Sequence, residues 1–272
     1  MGWFPCSVDY KVLRAERHWT VVAYPRLRSC SDMTRGIFIV SCGDTDAFLP
    51  MLTASIERHT RLPYTVHQDP TKGGIRSREI KLRMCELSPY DQTLYVDVDA
   101  ILCADPAPLF DLLQHDCWWM ASDVGPKTIT EILEHRFYKL VASKTTTSKL
   151  AHKARIYPNT PHFNSGVILF DRRALPYFTC WRKIWEALPP GQDQLALILS
   201  IAGHSKRRPS LLSPCWNFQH SFTKAEADLT TYRSQIRILH LSGQRKPELY
   251  QRAQAAGYID SLGERTLTAA KE

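Results

Sequence analysis

Hydrophobic and polar positions along this chain alternate between two periods. GIFIVSCGD, from Gly36 to Asp44, is a continuous apolar run closed by turn formers, which predicts a parallel strand buried on both faces. In DAFLPMLTASIERHT, Phe48, Leu52, Ser55, Ile56 and His59 share one helical face and Pro50 comes early, which predicts a helix starting near Thr45 or Asp46. LPYTVHQ predicts a second strand, so the chain opens as strand, helix, strand. SREIKLRMCELSP then reads as a helix ended by Pro89, and it leads into LYVDVDAIL, read as one strand. PAPLFDLLQ predicts a short helix and CWWMASD another strand, followed by a helix around 128–141 and a polar loop over 143–160. FNSGVILFD predicts a strand, YFTCWRKIWEAL an amphipathic helix, and GQDQLALILSIAG a helix closed by Gly203. LLSPCWNFQH and IRILHLSG read as late strands, and 248–272 as a terminal helix and tail. There is no internal repeat. Strands alternating with helices imply an α/β fold around a mostly parallel sheet, a single domain over 36–250 with an N-terminal arm or peripheral extension at 1–35 and a C-terminal helix and tail at 251–272.

One stretch breaks its own pattern. In LYVDVDAIL, Leu94, Val96 and Val98 alternate with Tyr95, Asp97 and Asp99, so on a strand both carboxylates point to the same face. Burying two uncompensated carboxylates costs several kcal/mol each. Either something neutralises them or the strand ends there at an open cleft. In open α/β sheets ligands sit beyond the carboxyl ends of the strands, where Asp97 and Asp99 fall. Two hard oxygen donors without Cys or clustered His nearby suit Mg²⁺ or Mn²⁺ better than zinc, and such ions take their remaining ligands from phosphates and water. A solvated strand end is the competing account of the pair.

Composition narrows the classes. The 272 residues are 44% hydrophobic and 23% charged, which suits one large domain and excludes disorder over the whole chain. A formal net charge of +8 suits phosphate-bearing small molecules, nucleic acid or an anionic membrane. No aromatic-and-basic repeat of a nucleic-acid module is present, so no nucleic-acid partner is expected. The positive charge concentrates in the arm and in Lys/Arg clusters at 144–155 and 204–208, which leaves peripheral contact with a membrane open. Eight cysteines form no CxxC pair and no zinc spacing; reduced, mostly buried thiols in a cytoplasmic protein follow. No apolar run is long enough to span a membrane, and MGWFPCS resembles neither a secretory signal nor a myristoylation site.

The surroundings of the aspartates carry a resemblance. SPYDQTLYVDVDAILCADPAPLFDLL, HFNSGVILFD, GQDQLAL, CWNFQ and LHLSGQRKP follow one another in the order of the motifs of GT-A glycosyltransferases, in particular the glycogenin and lipopolysaccharide-galactosyltransferase group, family eight. The similarity runs from GIFIVSCGD to Lys246–Pro247. It implies that Asp97 and Asp99 coordinate Mn²⁺ or Mg²⁺ with His240 as the third protein ligand, Val98 lying between them in the donor site. It implies too that Lys246 reaches the diphosphate of a nucleotide sugar, probed closely by the backbone at Gly243. Ser41, Cys42 and Asp44 are expected to face the nucleoside, uridine by analogy, although Cys42 is unusual for the family. Arg78 or Lys81 is expected to hold the donor, and Asp123, Asn164 and Ser165 to lie near the donor sugar and acceptor. In the QDQ at 192–194 two registers fit the family's Asp–Gln pair, Gln192 with Asp193 or Asp193 with Gln194; Asp193 is common to both, and Gln192 is taken second. The family's usual Asn a few residues later is absent, Ala196 to Ile198 being apolar.

The implied reaction is transfer of a hexose or related sugar from a nucleotide sugar, a UDP-sugar by analogy, to a saccharide, lipid-linked saccharide or protein hydroxyl. Retention of configuration is implied, with Asp193, Gln192 and Asp123 as the catalytic candidates. Two other classes compete. A sugar nucleotidyltransferase also uses Asp-bound metal on such a sheet but opens with a Gly-rich basic loop, which SCGDTDAF is not. A non-catalytic nucleotide-sugar-binding protein would keep the fold without turnover. The oligomeric state is not legible.

Overall fold

The computed structural model describes residues 12–15 and 18–21, and 33–259 apart from 71–73, 126, 190–192, 220–225 and 243–245. The chain divides into two units, Met1–Met33 and Thr34–Glu272. In the first, β1 (Val12–Ala15) and β2 (His18–Val21) form an antiparallel hairpin in which Val12 faces Val21 and Ala15 faces His18.

The second unit is built on β3 (Arg35–Cys42), a strand buried over its last seven residues. It leads through a 3-10 turn, Gly43–Phe48, to α1 (Leu49–His59), with Pro50 in the first turn, where a missing N–H costs nothing. β4 (Tyr64–Asp69), α2 (Gly74–Lys81), α3 (Met84–Leu87), β5 (Gln92–Val96) and β6 (Ala100–Leu102) follow. A 3-10 helix, Ala107–Gln114, precedes β7 (Trp118–Ser122), α4 (Ile129–Glu134), α5 (Arg136–Val141), α6 (Lys144–Ile156) and β8 (Phe163–Asp171). The last elements are α7 (Leu175–Glu186), α8 (Asp193–Ile201), β9 (Ser210–Leu212), β10 (Phe218–Gln219), α9 (Glu226–Thr231), β11 (Ile238–His240) and α10 (Lys246–Ala255).

The main sheet has the order β4-β3-β5-β8-β7-β9. All its strands run parallel except β8, which lies antiparallel between β5 and β7. Both faces are covered, which is why β3 and β8 are apolar without alternation. Phe38, Val40, Tyr95, Met120, Ile168 and Phe170 face a layer that includes Phe178 and Trp181 of α7 and Leu195 and Ile198 of α8. Ile37, Ile39, Leu94, Val96, Val167 and Leu169 face Leu52 and Ile56 of α1 and Leu109, Phe110 and Leu113 of the 3-10 helix. Each such side chain contributes about 1.5–3 kcal/mol on burial, the fully enclosed Trp181 and Phe178 included. A smaller sheet, β10-β11-β6, packs Ile101, Leu239 and Leu241 against Leu229, Leu249, Tyr250 and Ala253 of α9 and α10.

Five expectations change. SREIKLRMCELSP is not one helix: α2 ends at Lys81 and α3 begins at Met84 after a turn. LYVDVDAIL is not one strand. β5 ends at Val96, the Asp97 N–H donates to Gly166 O at 2.8 Å, and the Ala100 N–H closes a turn on Asp97 O at 3.1 Å, after which β6 joins the other sheet. The expected loop over 143–160 is mostly the 13-residue α6, whose N-cap Ser143 accepts from the Thr146 N–H. Its buried stripe is only Thr146, Leu150 and Ala154, too thin and too polar to register as a helical period. The expected helix over 128–141 breaks into α4 and α5 at His135, whose backbone is extended. LLSPCWNFQH divides into β9 and β10, on different sheets, because Pro214 opens a 3-10 turn between them.

Candidate active site and metal centre

The turn between β5 and β6 presents the two carboxylates. Asp97, Asp99 and His240 each bring a ligand atom within 4.8 Å of the others. His240 Nε2 lies 3.7 Å from Asp97 Oδ2 and 3.5 Å from Asp99 Oδ1. The histidine arrives there because β11 pairs antiparallel with β6, setting His240 opposite Ala100, and the Leu241 N–H donates to Asp99 O at 2.9 Å. The sequence question about buried carboxylates is answered here: Asp99, 5% exposed, lies beside the His240 ring, and Asp97, more open, meets the Lys81 cation. Lys81 Nζ, at the end of α2, donates to both oxygens of Asp97 at 2.9 and 3.2 Å. The Tyr95 hydroxyl donates to Asp97 Oδ1 at 2.5 Å, and its ring lies under Lys81 Nζ at 5.1 Å. Burial, reinforced by Asp97, pushes the Tyr95 phenol well above its ordinary value, so it stays a donor.

The imidazole is oriented from behind. His240 Nδ1 donates to Asn217 Oδ1 at 2.9 Å, which leaves the Nε2 lone pair facing the carboxylates. Asn217 Nδ2 in turn donates to Asn164 Oδ1 at 2.9 Å, as does the Gly166 N–H. Gly166 has a steric reason: a Cβ there would run into Cε1 of His240 and come within 2.5 Å of Nδ1. Two carboxylates and a correctly tautomerised imidazole, one ring nitrogen spoken for, fit a hard or borderline divalent cation.

A second cluster lies next to it. Asp123, just past β7, accepts from the Gly125 N–H at 2.8 Å, from Gln194 Nε2 at 3.2 Å and from Asn164 Nδ2 at 3.4 Å. Asn164 Nδ2 also donates to Gln219 Oε1 at 3.0 Å. Asp193, the first residue of α8, accepts from Arg78 Nε at 3.1 Å and Ser165 Oγ at 3.2 Å, while its backbone carbonyl accepts from Trp181 Nε1 at 2.7 Å. Asn164, Ser165 and Gly166 of β8 therefore tie the metal residues to both further aspartates.

The profile of glycosyl transferase family 8 matches residues 80–250, which holds every residue of both clusters except Arg78. The chain belongs to glycosyltransferase family 8. Among solved structures it is similar to the bifunctional glycosyltransferase WbbM, with TM-score 0.61, 14% identity and 92% of this chain covered; the chain spans 54% of the WbbM chain. It is similar to the galactosyltransferase LgtC, solved with donor and acceptor sugar analogues, with TM-score 0.53, 16% identity, 85% of this chain and 100% of that one. The glycosyltransferase GlyE of Streptococcus pneumoniae gives TM-score 0.50 and 13% identity over 88% of this chain and 63% of its own. These likenesses speak for a GT-A fold. No curated protein matches the chain in sequence.

As a family 8 glycosyltransferase, the chain places its other expected site residues unevenly. Ser41, at the end of β3, is buried and its hydroxyl donates to the Asp46 carboxylate. Cys42 beside it is buried, and burial first, then Asp69 and Asp46, raises its thiol, so it presents a neutral S–H. The Val98 side chain packs into the apolar layer with Val96 and Ala100, so any donor contact falls to its backbone. Lys246 opens α10; Gln192, Gly243 and the side chains of Asp44 and Lys246 lie outside the described residues. Both Arg78 and Lys81, left as alternatives by the sequence, face the site, one on Asp193 and the other on Asp97. The structure adds Tyr95, Gly166, Asn217 and Gln219, and of the two glutamines the sequence left open it bonds Gln194 to Asp123. Tyr95 had a signal, standing two residues before Asp97 on a strand; Asn217 and Gln219 sit in CWNFQ and had none beyond that motif. Among the described residues no helix is long and apolar enough to cross a membrane.

Proposed function

We propose that this glycosyltransferase is a metal-dependent hexosyltransferase acting on a UDP-sugar, with a saccharide, lipid-linked saccharide or protein hydroxyl as acceptor and with retention. The observation that carries it is the His240 imidazole, tied at Nδ1 to Asn217 and turned with Nε2 toward Asp97 and Asp99. Those residues would hold Mn²⁺ or Mg²⁺, which would balance charge on the departing diphosphate as a Lewis acid. Ser41, Cys42 and Asp44 would face the nucleoside, and the Val98 backbone, Gly243 and Lys246 the diphosphate. Lys81 and Arg78 carry fixed positive charge along the same cleft and would orient the phosphates and sugar.

Retention rests on what the other two carboxylates are doing. A general base needs a carboxylate oxygen free to take the acceptor proton. Asp123 accepts from three donors and Asp193 is ion-paired with Arg78 and bonded to Ser165, which favours positioning over proton abstraction. In this reading the leaving phosphate takes the acceptor's proton, and Asp193 with Gln194 or Gln192 stabilises charge developing at the sugar. Asn164, bonded to Asp123, would help seat the sugar. Among the described residues the thiols of Cys42, Cys85, Cys103, Cys117, Cys180 and Cys215 form no disulfide, which favours a reducing, cytoplasmic setting.

The test is release of UDP from a panel of UDP-sugars with Mn²⁺. Release with one sugar, abolished by EDTA and by Asp99→Ala, is expected. A folded protein that turns over no UDP-, GDP- or dTDP-sugar and binds no nucleotide with metal would overturn the reading.

A further inference from the structure

A cavity of about 490 Å³ lies away from the carboxylates, between α6, α7 and the end of α8, and the proposed transfer chemistry makes no use of it. Its lining includes Lys149, His152 and Lys153 of α6, and His204 and Arg207 beyond α8, over an apolar floor of Ile184 and Leu199. No carboxylate lines it. The sequence explains the imbalance: from His135 to Phe170 and again from Gln194 to Ala225 the chain has no acidic residue, while Lys144, Lys149, Lys153, Arg155, Lys206, Arg207 and Arg208 fall in those two stretches. Folding brings the two acid-free stretches to opposite sides of one cavity. The nearest acid of α7, Glu186, pairs with Arg182 at 3.9 Å. Among the described residues none of Lys149, Lys153 and Arg207 has an ion-pair partner. Arg207 Nη1 reaches only Cys180 Sγ at 3.3 Å, and Lys153 Nζ lies over the Tyr157 ring at 5.6 Å.

Converging, uncompensated cations around a concave space repel one another, a cost that an anion removes. A cavity of this size holds a small organic molecule, and an apolar floor under a cationic rim suits one with a phosphate head and an apolar or sugar body. We infer that the space between α6, α7 and the turn after α8 is a binding site for a phosphate or diphosphate ester, separate from the Asp97–Asp99–His240 centre. Leu199 and Ser200 lie about 10 Å along α8 from Asp193 at the helical rise, so the cavity and the Asp193 cluster occupy opposite ends of one helix.

The test uses the intact protein in EDTA, so that no metal holds diphosphate at Asp97 and Asp99. Inorganic pyrophosphate is expected to protect Lys149 and Lys153 from acetylation by acetic anhydride, read by mass spectrometry, and to leave the exposed Lys206 unprotected. The Lys153→Gln/Arg207→Gln variant should bind pyrophosphate about tenfold more weakly. It should keep wild-type UDP release, which shows that it folds. Vesicles of phosphatidylglycerol, with phosphatidylcholine as control, identify the source: protection of the same two lysines by vesicles but not by pyrophosphate assigns the site to a lipid headgroup. Equal labelling with and without both probes, or protection of Lys206 to the same degree as Lys149, would overturn the site.

Discussion

Lys81 and Asp97 form an ion pair in which one ammonium spans both carboxylate oxygens, at 2.9 and 3.2 Å, on the aspartate that would hold the metal. The lysine is 6% exposed, so the charge is fixed rather than solvated. A cation so placed neutralises the carboxylate before metal arrives and competes with the metal afterwards. Lys81→Met is expected to bind Mn²⁺ about tenfold more tightly by calorimetry, since the competitor is gone. Without metal the same variant should melt below wild type, because the carboxylate is left unpaired, and added Mn²⁺ should restore most of the loss. Unchanged metal affinity would count against the competition.

Asn217 touches no substrate in the proposed reading, yet it fixes which nitrogen of His240 carries the proton. Asn217→Ala should weaken Mn²⁺ binding by about 10- to 100-fold, the usual effect of losing a partner behind a histidine ligand. Asn217→Asp, which keeps an acceptor, should recover part of it. Equal affinity across all three proteins would show that His240 is no ligand.

Gly166 leaves no room for a methyl group on the His240 side. Gly166→Ala is expected to push the imidazole off the carboxylates and to abolish metal binding. Ser165→Ala, one residue away, should leave metal binding intact while loosening Asp193.

Gln194 and Gln192 are separable by kinetics. Gln194 Nε2 is bonded to Asp123, and so lies in the cluster that faces the proposed sugar. Gln194→Ala is expected to lower kcat by about 10²-fold with little change in the donor KM, the signature of an interaction made in the transition state. If Gln192→Ala has that effect instead, the first register is the correct one.

Alkaline pH should expose the buried thiols. Burial, against the opposing pull of Arg172, pushes the Cys85 thiol from 9.0 up to about 12. Between those values the unfolded chain gives up a proton that the folded chain keeps, so stability is intact below pH 9 and falls as pH rises toward 12. The slope is at most about 1.4 kcal/mol per pH unit for the one group. Cys85→Ala should flatten the pH dependence of the urea midpoint in that window by this amount, and an unchanged slope would exclude the thiol as its source.

Elements buried on both faces were legible in the sequence because nothing competes with a run such as GIFIVSC or GVILF. The carboxylate pair was legible for the opposite reason, as charge where burial forbids it. What was not legible depended on distant partners. β5 stops near Val96 because the Ala100 N–H closes a turn on Asp97 O and β6 then pairs with β11, a strand from late in the chain, and no local pattern in LYVDVDAIL announces that. α6 stays a helix on three small or apolar anchors and one serine cap, which composition alone reads as a polar loop. Asn217 and Gln219 look like ordinary turn residues until β10 and β11 set them beside His240 and Asn164.

The pairing of β6 with β11 also carries a consequence for how the chain comes to be made. The two aspartates emerge from the ribosome long before Ile238–His240, and until that last strand docks the ligand set is open on one side. Closing it requires one of the longest sequence separations in the molecule, the kind of contact that forms late. In the proposed reading, a nascent or clipped chain that has not seated β11 carries the acidic pair, with Lys81 beside it, without the third ligand that would complete the site.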